Sequence, residues 1–120
     1  MKRIVLALML ISPFSFADWG DVYYCQMTTN SEISLEGKRT DYPLERFQFK
    51  LDKTKNAMVF GQGGWFDGAE DELREGMNFP AQEAWYTNSK YSMLYFEEGK
   101  FLHSNTGPNA VTISANCDKF

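Results

Sequence analysis

The sequence predicts an all-β domain with at most one short helix: a small antiparallel barrel or sandwich of about six to eight strands, closed by one disulfide. Three features point there. Short stretches of alternating apolar and polar residues recur, parted by turn residues roughly every eight to twelve positions. The only cysteines, Cys25 and Cys117, stand near the two ends of the domain. An apolar leader precedes the domain and implies export to a compartment where such a pair oxidises.

The leader reads MKRIVLALMLISPFSFA. Lys2 and Arg3 give a positive start, Ile4 to Ile11 is unbroken and apolar, and Ser15 and Ala17 set small residues where signal peptidase reads. The pattern predicts a signal peptide over 1–17, cut after Ala17, and a periplasmic or secreted product. As a helix it is too short for a hydrocarbon core of about 30 Å. An ordinary buried N-terminal strand or helix is the competing reading. No cysteine stands at the cut, so no membrane anchor is expected, and residues 18–120 make a single domain.

The whole chain carries 12 basic and 16 acidic residues, and losing the leader removes Lys2 and Arg3 but no acid. An acidic chain with no basic cluster longer than Lys38-Arg39 does not suit nucleic acid or an anionic membrane, both of which need a basic patch. It suits a basic protein partner or a cation, although solubility alone accounts for such a charge.

The elements follow in order. Val22 to Met27 reads as the first strand, with Tyr23, Cys25 and Met27 on one face. Ser31 to Glu36 reads as a second, with Ile33 and Leu35 inward, before a polar loop to Pro43. Glu45 to Asp52 alternates most cleanly: Phe47, Phe49 and Leu51 in, Arg46, Gln48 and Lys50 out. A turn over 52–56 leads into Ala57 to Phe60. Further strands are expected at Glu83 to Asn88, Tyr91 to Glu97, Lys100 to Asn105 and Ala110 to Cys117. The pairing of Cys25 with Cys117 would staple the first strand to the last, which favours a closed up-and-down barrel. The bridge would stabilise by about 4–5 kcal/mol through the closed loop's entropy. A zinc site of four Cys and His ligands cannot be assembled, because His103 is the sole histidine.

The stretch Gly61 to Gly76, GQGGWFDGAEDELREG, bears the most functional weight. As a phosphate loop it lacks the lysine that must follow the glycines, and Phe66 occupies the third glycine position of a dinucleotide fingerprint. As a calcium loop it offers Asp67, Glu70, Asp71 and Glu72, but Gly68 and Ala69 interrupt the alternation of oxygen ligands. As a connector it reads as a glycine hinge that lets Trp65 and Phe66 tuck inward, followed by a helix over 68–75. In that helix Asp67 is the N-cap, Glu70 completes a capping box, Leu73 is the apolar anchor and Gly76 the stop.

His103 and Ser104 adjoin in sequence, but neighbours in a strand point to opposite faces, and no nucleophile elbow is present. No catalytic residue and no cofactor is therefore expected. Tyr91 to Phe96 is apolar on both faces, so both need cover: by the core, by the 67–75 segment, by a second subunit or by a ligand. Trp65, Trp85, Tyr91 and Tyr95 are candidates for an aromatic contact surface, or for ordinary barrel filling.

With its leader, its Tyr23-Tyr24-Cys25 start and its late Cys117, the chain resembles the small periplasmic lysozyme inhibitors. The likeness lies at the ends of the chain and implies an eight-stranded barrel. The Ser/Gly loop with a downstream tyrosine that those inhibitors set in the enzyme cleft has no counterpart here. The leading functional expectation is thus a non-catalytic protein-interaction or inhibitor-like module. The alternative is a lipocalin-like small-ligand barrel, or a carbohydrate or calcium binder. The sequence leaves the oligomeric state open.

Overall fold

A computed structural model describes residues 17–75 and 85–120. Residues 1–16 of the expected leader, the start of the strand expected at Glu83, and Gly76 lie outside the described residues. The described strands are β1 (Val22–Ser34), β2 (Arg39–Asp41), β3 (Arg46–Asp52), β4 (Ala57–Phe60), β5 (Glu70–Glu72), β6 (Arg74–Glu75), β7 (Trp85–Asn88), β8 (Ser92–Glu97), β9 (Lys100–Thr106) and β10 (Asn109–Lys119). No helix among the described residues is long and apolar enough to cross a membrane.

Every pairing is antiparallel, and the sheet runs β5-β4-β3-β1-β10-β9-β8-β7-β6, with β2 attached to β1. Only Leu73 separates β5 from β6. The 70–75 stretch is therefore one bent strand, paired to β4 at its start and to β7 at its end. It brings the sheet round into a nearly closed eight-stranded, up-and-down barrel, as the alternation and the cysteine pair predict. Closure removes the open sheet edges that invite aggregation.

The disulfide joins Cys25 to Cys117, directly opposite each other on β1 and β10. Around it the interior is packed with rings. Phe47 and Phe49 on β3, Phe60 on β4, Phe96 on β8 and Phe101 on β9 lie with centroids about 5–6 Å apart. That spacing suits tilted and edge-on aromatic contact. Phe49 and Phe96 are essentially sealed from solvent, as are Leu51, Met58, Leu94 and Ile113. The expected alternation of β3 holds, with Phe49 and Leu51 buried and Arg46, Gln48 and Lys50 exposed. Trp19 closes one end by meeting Trp85 edge-on at 4.9 Å, and the Gly20 N–H donating to the Leu51 carbonyl (2.7 Å) fixes that segment.

Three expectations are corrected. The two strands expected over 22–27 and 31–36 are a single strand, β1, with a bulge between Met27 and Thr29. An extra residue reverses the phase of all that follows. Asn30 therefore takes the inward place, and Ile33 and Leu35, expected inward, are exposed. The helix over 68–75 does not form. Gly68 has φ +67°, outside the helical region, and Asp67 spends its carboxylate on the Gly63 N–H within the loop instead of capping a helix. The open edges of β4 and β7 recruit 70–75 as a strand, which outweighs the local capping signal. Trp65 does not tuck in beside the buried Phe66. It is 40% exposed and packs on Tyr42 at 5.5 Å.

Candidate functional site

The glycine-rich stretch forms a closed surface loop. The Gly68 N–H donates to the Gly61 carbonyl (2.8 Å), joining its ends, and Phe66 anchors it, stacked on Phe60 at 4.6 Å. Two contacts lean it over β3. The Gly61 N–H donates to the Gln48 carbonyl (3.0 Å), and the Trp65 N–H donates to Glu45 Oε1 (2.9 Å). A Cβ on Gly61 would stand 2.9 Å from Gln48 Cγ, and one on Gly64 2.9 Å from Glu45 Oε1, so either would push a side chain aside, and Gly64 also takes φ +76°, which suits glycine. Gly61 and Gly64 thus lie close to the sheet, whereas Gly63 serves its positive φ of +85°.

Between this loop and the sheet lies an open groove of about 960 Å³. Its floor is the outer face of β10, β1 and β3, where strand register sets two rows of three side chains. Asn116, Gln26 and Arg46 make one row, and Asp118, Tyr24 and Gln48 the other. Gln62 and the Gly61, Gly63 and Gly64 backbone form the wall. Arg46 Nε donates to Gln26 Oε1 (3.1 Å), and Lys100 Nζ donates to Asn116 Oδ1 (3.0 Å). The ring of Tyr24, 45% exposed, is braced edge-on by Phe120 at 5.4 Å.

The acidic candidates do not converge. Asp67 accepts from Gly63 inside the loop, and Glu70 is held by Lys55 Nζ at 2.8 Å. Asp71 stands opposite Met58, on the inward side of its strand, where burial pushes its carboxyl above the usual carboxylate range. Glu72 is exposed. Among the described residues, no group of three or more His, Cys, Asp or Glu side chains could hold a metal ion. The aromatic candidates are likewise dispersed. Trp85 is buried in the core and Trp65 lies beside the loop. Tyr91 is exposed with Lys90 Nζ over its ring, and the Tyr95 hydroxyl donates to Glu97 Oε1 (2.8 Å). On β8 the inward Leu94 and Phe96 are covered by the core, while Met93 and, just before the strand, Tyr91 stay exposed.

His103 points inward, 9% exposed, with the Phe66 ring at 5.2 Å. Burial holds its imidazole below the ordinary histidine range. It shares a level of the barrel with Asn30, Ile113, Leu94 and Thr87. Among the described residues, His103 Nδ1 and Asn30 Oδ1 are both buried without a hydrogen-bond partner. Nearer the barrel mouth, the Tyr42 hydroxyl and Asn109 Nδ2 both donate to the Glu32 carboxylate. Sequence reasoning passed over Asn30 and Glu32 because the bulge alone turns them inward. It passed over the groove because three strands distant in sequence build it; its one sequence signal was the run of glycines.

Comparison of the chain with protein-family models, curated proteins and solved structures returns no match. The functional reading therefore rests on the geometry.

Proposed function

We propose that this chain is a non-catalytic recognition module, exported by a leader cut after Ala17 to the periplasm or medium, which binds its target on the outer wall of the barrel. One observation carries the reading: the interior is packed with aromatic side chains, whereas a groove with a polar floor and with Phe47, Phe60 and Phe66 also in its lining opens on the outside, beside the 61–68 loop. Ligand sites favour concavities of about 300–1,000 Å³ with a few convergent polar groups. The disulfide supports export, since such bonds persist in oxidising compartments. A second reading, a basic protein met by the acidic flank, is favoured by the exposed Glu70 and Glu72.

Capture from envelope extract on the immobilised, oxidised protein separates the two. The groove reading expects retention to fall with Arg46→Ala/Asp118→Ala. The acidic-flank reading expects it to fall with Glu70→Gln/Glu72→Gln and with added salt. Retention unchanged by either pair, or no retention, would sink both.

A further inference from the structure

The floor of the groove has the donor and acceptor character of a polyol site. Its six side chains stand on three adjacent strands, which lie about 4.8 Å apart, and residues two apart along a strand are separated by about 6.8 Å. The grid therefore measures on the order of 10 by 7 Å, the scale of one or two sugar rings. Arg46 and Asp118 occupy opposite corners of it, and the Lys100 ammonium reaches the Asn116 corner. Gln48 and Asn116 take the other two corners, and Gln62 joins from the wall.

A primary amide carries both a donor and an acceptor, and so does a hydroxyl. Amides flanked by Arg46, Asp118 and, at the Asn116 corner, Lys100 thus match a ligand dense in hydroxyls, each of which can both donate and accept. Gln26 is engaged with its neighbours: its Nε2 donates to the Met27 carbonyl (3.2 Å) and its Oε1 accepts from Arg46, which holds that row rigid. Asn116 has its Oδ1 occupied by Lys100, which turns Nδ2 into its available donor. Between the corners, Tyr24 offers a braced ring face to the C–H side of a sugar. On this floor β1 is paired on both sides, with β10 and with β3, so it offers no edge for strand addition.

Resting on the groove reading above, we infer that the groove takes an oligosaccharide, with Gln48, Asn116, Asp118 and Arg46 bonding its hydroxyls and the Tyr24 ring carrying a sugar face. The test is a nitrogen–proton NMR titration of the oxidised protein with cellohexaose, maltohexaose and the hexamer of N-acetylglucosamine. At least one should shift the Gly61, Gly63 and Gly64 amides and the side-chain amide signals of Gln48 and Asn116. Affinity should be in the micromolar to millimolar range usual for a small polar interface, on the order of 0.1–1 mM. Asp118→Ala and Asn116→Ala should each weaken it about tenfold, and Tyr24→Ala by at least as much. Met93→Ala, on another part of the outer wall, should leave it unchanged. The spectra also report whether each variant is folded. No shift with any of the three sugars, or shifts away from the groove, overturns the saccharide assignment. If envelope capture still depends on Arg46 and Asp118 while all three sugars fail, the groove binds a protein instead, and only the saccharide assignment falls.

Discussion

Along the β1–β10 seam, the first and last strands run side by side from Tyr23 opposite Lys119 to Ser34 opposite Asn109, with Cys25 and Cys117 covalently joined. On the far side of the barrel, among the described residues, β5 meets β4 over three pairs, and β6 meets β7 over Arg74 opposite Tyr86 and Glu75 opposite Trp85. The first seam joins residues far apart in sequence, so its loop-closure entropy is large, and a long ladder and a disulfide offset it. The second relies on Leu73, buried at the bend, whose N–H donates to the Asn56 carbonyl (2.9 Å). The Asn56 side chain reciprocates by donating to the Leu73 carbonyl (3.3 Å). The eleven-pair ladder of β1 with β10 and the three-pair ladder of β4 with β5 are thus very unequal, and the thin β4–β5 seam is where opening should start.

The largest test removes the covalent half of the strong seam. Cys25→Ser/Cys117→Ser should lower stability by about 2–5 kcal/mol, read as a lower urea midpoint than that of the oxidised protein. An unchanged midpoint would mean that the ladder alone holds the seam.

Next, Leu73→Ala strikes the thin seam and should cost about 2–3 kcal/mol. Native-state hydrogen exchange should show the amides of Val59 and Glu72 opening at lower free energy than those of Tyr23 and Ile113. Equal protection at the two seams would refute the comparison.

A smaller effect comes with acid. His103 is buried with its imidazole held below the ordinary value of 6.5. The neutral form is favoured in the fold, so this contribution is complete above about pH 6.5 and is lost as pH falls below it. The urea midpoint should drop on acidification from about pH 7 to pH 5, and His103→Phe should flatten that slope. Tyr23 acts at the other extreme. Burial first, and then the Asp21 charge, push its hydroxyl up to about 12, so its contribution is present below pH 10 and lost as pH rises towards 12.

The smallest effect belongs to Asp71 on the thin seam. Burial raises its carboxyl pKa, so the charged form is penalised in the fold at neutral pH and the penalty vanishes once the group is protonated. Asp71→Asn should raise the midpoint at neutral pH and leave it unchanged near pH 3. A rise of equal size at both values would point away from charge.

The same contrast explains what could be read from the sequence. The strong seam was legible because its signals are local or categorical: the alternation of Tyr23, Cys25 and Met27, and a lone cysteine pair. The thin seam was not. Glu70, Asp71 and Glu72 are poor strand formers, and Asp67 followed by Glu70 imitates a helix start. Only the unpaired edges of β4 and β7, which no window along the sequence displays, make that stretch a strand. Ile33 was misplaced for a subtler reason, since one bulged residue inverts a pattern of period two. At the site, the glycines signalled a special loop, but Gln48 and Glu45, which Gly61 and Gly64 approach, lie at a distance in sequence.

Between Cys25 and Cys117 the polypeptide is a macrocycle, one bond of which is sulfur to sulfur. The Phe120 N–H donates to the Val22 carbonyl (2.8 Å), so both tails leave this ring side by side. A single cut in the exposed 61–64 wall would linearise the ring without releasing a fragment, and the groove floor, carried on β10, β1 and β3, would stay assembled around the bridge. Loss of the wall could then be separated from loss of the floor by nicking the backbone, with no substitution at all.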